Sequence, residues 1–113
     1  MITIYHNNRC TKSRCALELI KSKTKDFKVI EYLKTPPSEK ELKDILKKLG
    51  RKAEEIIRKK EPLFKEKFEG KKFTEDQWIK ILIKNPILIE RPIVVKGNKA
   101  VIGRPTENVM SLL

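Results

Sequence analysis

The residues best suited to chemistry are concentrated near the start of the chain, in residues 5–15, YHNNRCTKSRC. Cys10 follows a strand-like apolar segment and a polar loop, at the point where a helix is expected to begin. A thiol at a helix N-terminus lies near unpaired backbone N–H groups and the positive end of the helix dipole, and both favour the thiolate. Arg9 and Arg14 add positive charge, and His6 adds a base or a further cation. The sequence therefore predicts a reactive nucleophile at Cys10.

Length and composition set the broad class of protein. The chain has 113 residues, which suits one domain with a modest core. It has no apolar run of about 18 residues and no signal-peptide pattern, so neither a membrane span nor export is expected. The two cysteines do not form a disulfide framework, and no metal site is expected. These features favour a cytoplasmic protein in a reducing environment.

The formal net charge is +12, which by itself would suggest nucleic-acid binding. The positive charge is mostly lysine, however, and the lysines are interleaved with glutamate and do not alternate with aromatic residues as a stacking surface would. We therefore expect a solvated lysine surface and no nucleic-acid partner. We also expect a monomer. On such a surface the six arginines are the more informative cations, because a guanidinium binds oxyanions through a planar pair of donors.

Hydrophobic periodicity predicts the elements that position these residues. Strands are expected at 2–5 and 27–33, joined by a helix at 11–23, which together form a parallel βαβ unit. A helical region follows. Its first helix begins at the capping box Ser38–Glu41 and ends at Gly50, and a second helix is predicted over about 52–60. A short amphipathic segment around 63–68 comes next, and a further helix begins at the capping box Thr74–Gln77 and ends at Asn85-Pro86.

The last third of the chain has a different pattern. Residues 92–96 and 100–102 are β-formers on either side of Gly97-Asn98, which indicates a hairpin, and a final helix is expected to begin at Pro105. The predicted order is therefore β-α-β, a helical insertion at about 38–90, and β-β-α. This order predicts an α/β, thioredoxin-like fold with a mixed four-stranded sheet, in a single domain of residues 1–113.

Five stretches of the chain resemble the glutaredoxin-type arsenate reductases, which are related to the Spx-type thioredoxin-fold proteins. These stretches are residues 5–14 (YHNNRCTKSR), 32–38 (YLKTPPS), 57–61 (IRKKE), 85–95 (NPILIERPIVV) and 103–107 (GRPTE). A cysteine after a strand would be a weak signal alone. Its combination with RPIVV and RPTE, in order and over nearly the whole chain, is specific.

The resemblance implies a function and a set of residue roles. Cys10 would attack arsenate, His6 would help to activate the thiol, and Arg58, Arg91 and Arg104 would hold the oxyanion. Glutathione, as co-substrate, would then attack the thiol–arsenic adduct, and glutaredoxin would complete the reduction to arsenite. No bound cofactor is implied.

The residues themselves are consistent with these roles, although each has a structural alternative. Arsenate is an anion, so a thiolate can approach it only when its charge is neutralised, as paired guanidinium N–H groups can do. His6 could instead cap or hydrogen-bond the loop, Arg58 could be a surface cation, and Arg91 and Arg104 could only position the backbone. Arg14 could bind the anion or cover the surface of its helix. Arg9 and Arg51 are interpreted as solvated charges.

Two further residues near the predicted site have structural interpretations. Ser13 takes the place of the second cysteine of a Cys-x-x-Cys motif, so the site is interpreted as a monothiol that depends on an external thiol. Pro92 is expected to follow a cis peptide bond, because the resemblance implies a cis proline facing the cysteine in thioredoxin-like folds. It would expose backbone groups beside the thiol.

Cys15 is the residue that departs from the family pattern. On a helix its Cα atom would lie about 8.6 Å from that of Cys10, beyond the limit of about 7 Å for a disulfide. We therefore expect Cys15 to be a small core residue. The alternative is a resolving thiol that acts after local unfolding, in which case thioredoxin could replace glutathione.

Two other functions are compatible with the same fold. One is an Spx-type transcription regulator that binds RNA polymerase, although such regulators usually carry Cys-x-x-Cys. The other is a glutathione-dependent reductase of another substrate.

Overall fold

A computed structural model describes all residues, 1–113. It contains four strands and four α-helices. The strands are β1 (Ile2–His6), β2 (Phe27–Glu31), β3 (Ile93–Lys96) and β4 (Lys99–Ile102), and the helices are α1 (Thr11–Lys23), α2 (Glu39–Leu49), α3 (Pro62–Lys67) and α4 (Glu75–Lys84). Short 3-10 segments occur at Ala53–Ile56, Pro86–Leu88 and Thr106–Leu112.

The chain divides into two compact units. The first comprises Met1–Thr35 and Arg91–Leu113, and the second is Pro36–Glu90, which is close to the insertion predicted at about 38–90. That the whole chain is a single domain stays a prediction.

The first unit contains the sheet, whose strand order is β2-β1-β3-β4. β1 is parallel to β2 and antiparallel to β3, and β3 pairs with β4 in a hairpin. Its core joins β1 and β3 to α1 and the C-terminal 3-10 segment, and it consists of Ile2, Ile4, Ala16, Ile20, Val94, Val109 and Leu112. The predicted α/β class and mixed four-stranded sheet are confirmed.

Local chemistry explains where several elements begin and end. Both predicted capping boxes are present, with the Ser38 and Thr74 side chains accepting from the Glu41 and Gln77 N–H groups. Gly97 (φ +60°) supplies the left-handed turn of the β3–β4 hairpin. β2 ends at Glu31, earlier than predicted, because the N–H groups of Lys34 and Thr35 donate to the Glu31 carbonyl and form a turn.

The second unit packs its helices around an aromatic cluster. Trp78 of α4 contacts the rings of Phe64, Phe68 and Phe73, with centroid separations of 6.3, 6.4 and 4.7 Å.

The helix predicted over 52–60 is wrong beyond its first turn. Only Ala53–Ile56 is helical, and Ile57 forms an antiparallel bridge with Ile89. The N–H group of Arg58 donates to the Leu88 carbonyl at 2.7 Å. A segment distant in sequence therefore supplies backbone bonds that a helix would have made locally.

Candidate active site

The loop between β1 and α1 presents Cys10 through a network centred on Asn7. The Asn7 carbonyl accepts from the Cys10 N–H group, and its side-chain oxygen accepts from the Arg9 N–H group, both at 3.0 Å. The second bond is an Asx turn, which stabilises a tight loop without strand or helix partners. Cys10 is therefore held at the N-cap of α1, where it is 8% exposed.

The surroundings of the Cys10 sulfur favour the thiolate. Burial by itself raises the pKa of the Cys10 thiol. The Ser13 N–H group, the hydrogen bond and charge of the Arg91 guanidinium, and the Lys12 N–H group lower it by more, so the pKa lies below its ordinary value. The N–H groups come from the first turn of α1, as expected for an anion at a helix N-terminus.

Two arginines from the C-terminal segment of the first unit complete the surroundings of the thiol. Arg104 Nη2 donates to Cys10 Sγ at 3.4 Å, and Arg104 Nε donates to the Arg91 carbonyl at 2.6 Å. Arg91 Nε and Nη1 are buried and have no hydrogen-bond partner. Buried guanidinium donors are rarely left without an acceptor, and an oxyanion beside the sulfur would fit them.

Both arginines immediately precede a cis proline. The Arg91–Pro92 and Arg104–Pro105 peptide bonds are cis, which confirms the expectation for Pro92; the second was not predicted. The two segments are also bonded directly, since the Gly103 N–H group donates to the Pro92 carbonyl at 2.8 Å. The backbone therefore fixes the two arginines relative to each other.

His6 is buried, with 2% of its surface exposed, and both of its ring nitrogens have partners. Nδ1 lies 2.6 Å from Ser13 Oγ and Nε2 lies 3.2 Å from Asn8 Oδ1. Because Oδ1 can only accept, Nε2 carries a proton. Ser13 Oγ also accepts from the Asn7 N–H group at 3.0 Å. His6 thus stabilises the cysteine loop, and its role in activating the thiol stays a prediction.

Two of the candidate arginines have contacts of their own. Arg58 lies in the second unit, where Nη1 forms an ion pair with Glu61. Arg14 lies exposed on α1, and its Nη2 donates to Thr11 Oγ1 at 3.4 Å. Their roles as oxyanion ligands stay predictions.

The prediction that Cys15 is a core residue is wrong, because its side chain is exposed. The buried face of α1 is formed by Ser13, Ala16 and Ile20, and Cys15 lies about 100° around the helix from Ala16. Both cysteines are free thiols. A resolving role for Cys15 stays an open alternative.

Sequence reasoning missed Asn7, Asn8 and Gly103. The preference of Asn for turns could have indicated Asn7, whereas the contacts of Asn8 and Gly103 depend on tertiary structure. The structure has no group of three His, Cys, Asp or Glu side chains that could hold a metal ion. None of its helices has the length and apolar character needed to span a bilayer.

Comparison with known proteins identifies the family. The ArsC family model matches residues 5–112. The chain belongs to the ArsC family. The match covers nearly the whole chain and confirms the family resemblance, while the roles of the individual candidate residues stay predictions.

Individual ArsC relatives cover nearly the whole chain. An arsenate reductase of Neisseria meningitidis serogroup A is 42% identical, over 99% of this chain and 97% of its own. The uncharacterized protein YfgD of Escherichia coli K12 is 44% identical, over 99% of this chain and 96% of its own. The structure of an arsenate reductase from Vibrio cholerae has a TM-score of 0.93 at 40% identity, covering 99% of this chain and 97% of that one. The ArsC chain described here thus has the predicted thioredoxin-like fold.

Proposed function

We propose that this ArsC-family protein reduces arsenate to arsenite, with Cys10 as the nucleophile. The observation that carries the proposal is the set of unfilled donors beside the sulfur. Arg91 Nε and Nη1 are buried without an acceptor, while Arg104 Nη2 is 3.4 Å from Cys10 Sγ. A tetrahedral oxyanion is the ligand class that accepts from two guanidinium groups and at the same time exposes an electrophilic centre to a thiolate.

In the first step the Cys10 thiolate attacks the arsenic atom. One arsenate oxygen leaves as water after protonation, and a sulfur–arsenic bond forms without a change in oxidation state. The two arginines neutralise the charge of the anion and stabilise the oxygens as the geometry at arsenic changes. Arg58 and Arg14 are proposed as further oxyanion ligands, and His6 as a residue that supports ionisation of the thiol.

In the second step an external thiol supplies the electrons. A glutathione thiolate attacks the Cys10 sulfur, the sulfur–arsenic bond breaks, and its electron pair stays on arsenic. Arsenic(V) thereby becomes arsenic(III), and Cys10 is left as a mixed disulfide with glutathione. Glutaredoxin then attacks this disulfide and releases the Cys10 thiol by thiol–disulfide exchange. In this scheme its part in the reduction is to regenerate the nucleophile. Glutathione is a co-substrate here and no bound cofactor takes part, which suits the reducing cytoplasm.

The test is arsenite formation with glutathione, glutaredoxin and NADPH-dependent recycling. Wild-type protein, Cys10→Ser and Cys15→Ser are compared, the last as a matched control five residues further along the chain. We expect turnover that Cys10→Ser abolishes and Cys15→Ser preserves. No turnover by the wild type would refute the activity. Loss of turnover in both variants would mean that Cys15, and not an external thiol, resolves the adduct on Cys10. Turnover with thioredoxin alone would replace the named reductant.

A further inference from the structure

A cleft of about 510 Å³ lies beside the loop that leads to Cys10. It is lined by residues 6–9 and by Glu31, Leu33 and Lys34, all of the first unit. It lies at the carboxyl ends of the parallel strands β1 and β2, where His6 and Glu31 are register partners. The volume of the cleft is within the range of small-molecule sites.

The proposed function does not specify where the external thiol binds before it attacks Cys10. We propose that this cleft binds it, as a γ-glutamyl tripeptide thiol of the glutathione type. The inference rests on the proposed function, because it assigns the site of the second substrate of that reaction. The arsenate oxyanion does not require the cleft, since the unfilled donors suited to it belong to Arg91.

The charges of the cleft are complementary to such a tripeptide. Glutathione carries two carboxylates and one ammonium group at neutral pH. The cleft offers two cations, Arg9 and Lys34, and one carboxylate, Glu31, whose Oε2 lies 3.5 Å from Lys34 Nζ. The Oδ1 atoms of Asn7 and Asn8 already contact the Arg9 N–H group and His6 Nε2, so these residues offer their Nδ2 groups as donors to peptide carbonyls. Leu33, 39% exposed, provides an apolar surface. We therefore assign the carboxylates to Arg9 and Lys34, and the ammonium group to Glu31.

The cleft is also close in the chain to the sulfur that the thiol must reach. One of its walls is the loop of residues 7–9, which leads directly to Cys10, and the Asn7 carbonyl accepts from the Cys10 N–H group. A tripeptide anchored at Arg9 and Lys34 thus lies against the segment that holds the reacting atom. Arg9, expected to be a solvated charge, becomes a substrate ligand.

The experiment is a binding titration that needs no turnover. Isotope-labelled Cys10→Ser protein is titrated with S-methylglutathione, which cannot react, and amide shifts are followed by NMR. We expect the shifts to be concentrated in residues 7–9 and 31–34. Arg9→Gln and Lys34→Gln should each raise Kd by roughly three- to fivefold, as for a solvent-exposed ion pair. Lys28→Gln, which removes an exposed lysine of β2 outside the cleft, should bind like its parent.

The assignment of Glu31 has its own matched test. Glu31→Gln should weaken binding of S-methylglutathione, but it should not weaken binding of the analogue in which glutaryl replaces γ-glutamyl and the ammonium group is absent. Equal weakening for both ligands would overturn the assignment of the ammonium group to Glu31.

The outcomes separate this inference from the proposed function. Amide shifts located elsewhere, or Kd values unchanged in both Arg9→Gln and Lys34→Gln, would overturn the assignment of this cleft as the thiol-binding site, even if arsenite is formed. Binding in the cleft by a protein that forms no arsenite would leave the cleft as a thiol site and refute only the arsenate substrate. Where turnover occurs, Arg9→Gln and Lys34→Gln should raise KM for glutathione and leave KM for arsenate unchanged.

Discussion

At Cys10, one sulfur atom interacts with groups from separate parts of the chain. The first turn of α1 supplies the N–H groups of Lys12 and Ser13, and the segments before β3 and after β4 supply Arg91 and Arg104. Burial opposes ionisation of the thiol, but these groups together outweigh it. The site therefore stabilises an anion before any substrate arrives. The same donors are suited to the oxyanion that the thiolate would attack.

The first prediction concerns Arg91, whose charge and hydrogen bond lower the pKa of Cys10. Arg91→Gln removes a cation that favours the thiolate, so the pKa should rise and the ionised fraction at neutral pH should fall. Alkylation by iodoacetamide, followed against pH in a Cys15→Ser background, measures this midpoint. The wild-type midpoint should lie below the free value of about 8.5.

Arg51→Gln is the matched control for Arg91→Gln, because it removes an exposed arginine paired with Glu55. Its alkylation midpoint should equal that of the parent. A midpoint unchanged in Arg91→Gln would mean that Arg91 does not contribute to ionisation, and that the helix N-terminus and Arg104 account for it.

At the scale of elements, the sequence predicts well what depends on neighbouring residues. The two capping boxes and the Gly97 turn are local, and α1 has the predicted bounds. The prediction fails at Ile57, where the alternative to a helix is a bridge to Ile89, 32 positions along the chain. It also fails at Cys15, which lies beside the buried stripe of its helix. Such competition between local and distant partners is not visible in a short window of sequence.

The same distinction applies to the candidate site. Residue types and the family resemblance indicated Cys10, Arg91 and Arg104, which the structure brings together. They could not reveal that both ring nitrogens of His6 are bonded to Ser13 and Asn8. Arg9 is exposed, as expected for a solvated charge. The cleft beside it could not be predicted, because it forms only where the ends of β1 and β2 are adjacent.

The second prediction concerns the contact between the segments that carry the two arginines. A Cβ atom on Gly103 would lie 2.9 Å from Pro92 Cγ and 3.2 Å from Val109 Cγ2. Gly103→Ala should therefore displace Pro92 and with it Arg91, at a cost of about 1–3 kcal/mol in the free energy of unfolding. Urea denaturation measures the cost, and the alkylation midpoint of Cys10, which should rise, reports the displacement.

Gly50→Ala is a control that separates the loss of stability from the change in the alkylation midpoint of Cys10. A Cβ atom there meets nothing within 4 Å, and its cost of about 1–2 kcal/mol comes from the positive φ alone. This variant should lose stability and keep the alkylation midpoint of the parent. If Gly103→Ala also loses stability but keeps the alkylation midpoint of the parent, the contact with Pro92 does not position Arg91.

At the scale of the whole molecule, the excess of lysine gives the chain a net charge of +12. A protein with this charge attracts anions, and it does so over a distance set by the ionic strength. Both proposed substrates, arsenate and the tripeptide thiol, are anionic. The overall charge would therefore favour their encounter with the protein, while the choice between them would depend on the arginines and the cleft.

The last prediction tests this contribution with two alkylating reagents of similar size. Iodoacetate is an anion and iodoacetamide is neutral, and both react with the Cys10 thiolate. The rates are measured in the Cys15→Ser background, because the exposed Cys15 thiol would react as well. The ratio of their rates should be highest at low salt and fall severalfold between about 10 mM and 1 M salt, over which the Debye length shrinks from about 30 to about 3 Å. Because iodoacetamide reports any change in the ionised fraction of Cys10, the ratio isolates attraction of the anion. Free 2-mercaptoethanol, whose thiolate repels iodoacetate, should show the opposite trend. A ratio independent of salt would mean that the lysine surface contributes nothing to anion capture, and that short-range contacts such as those of Arg91 and Arg104 account for all of it.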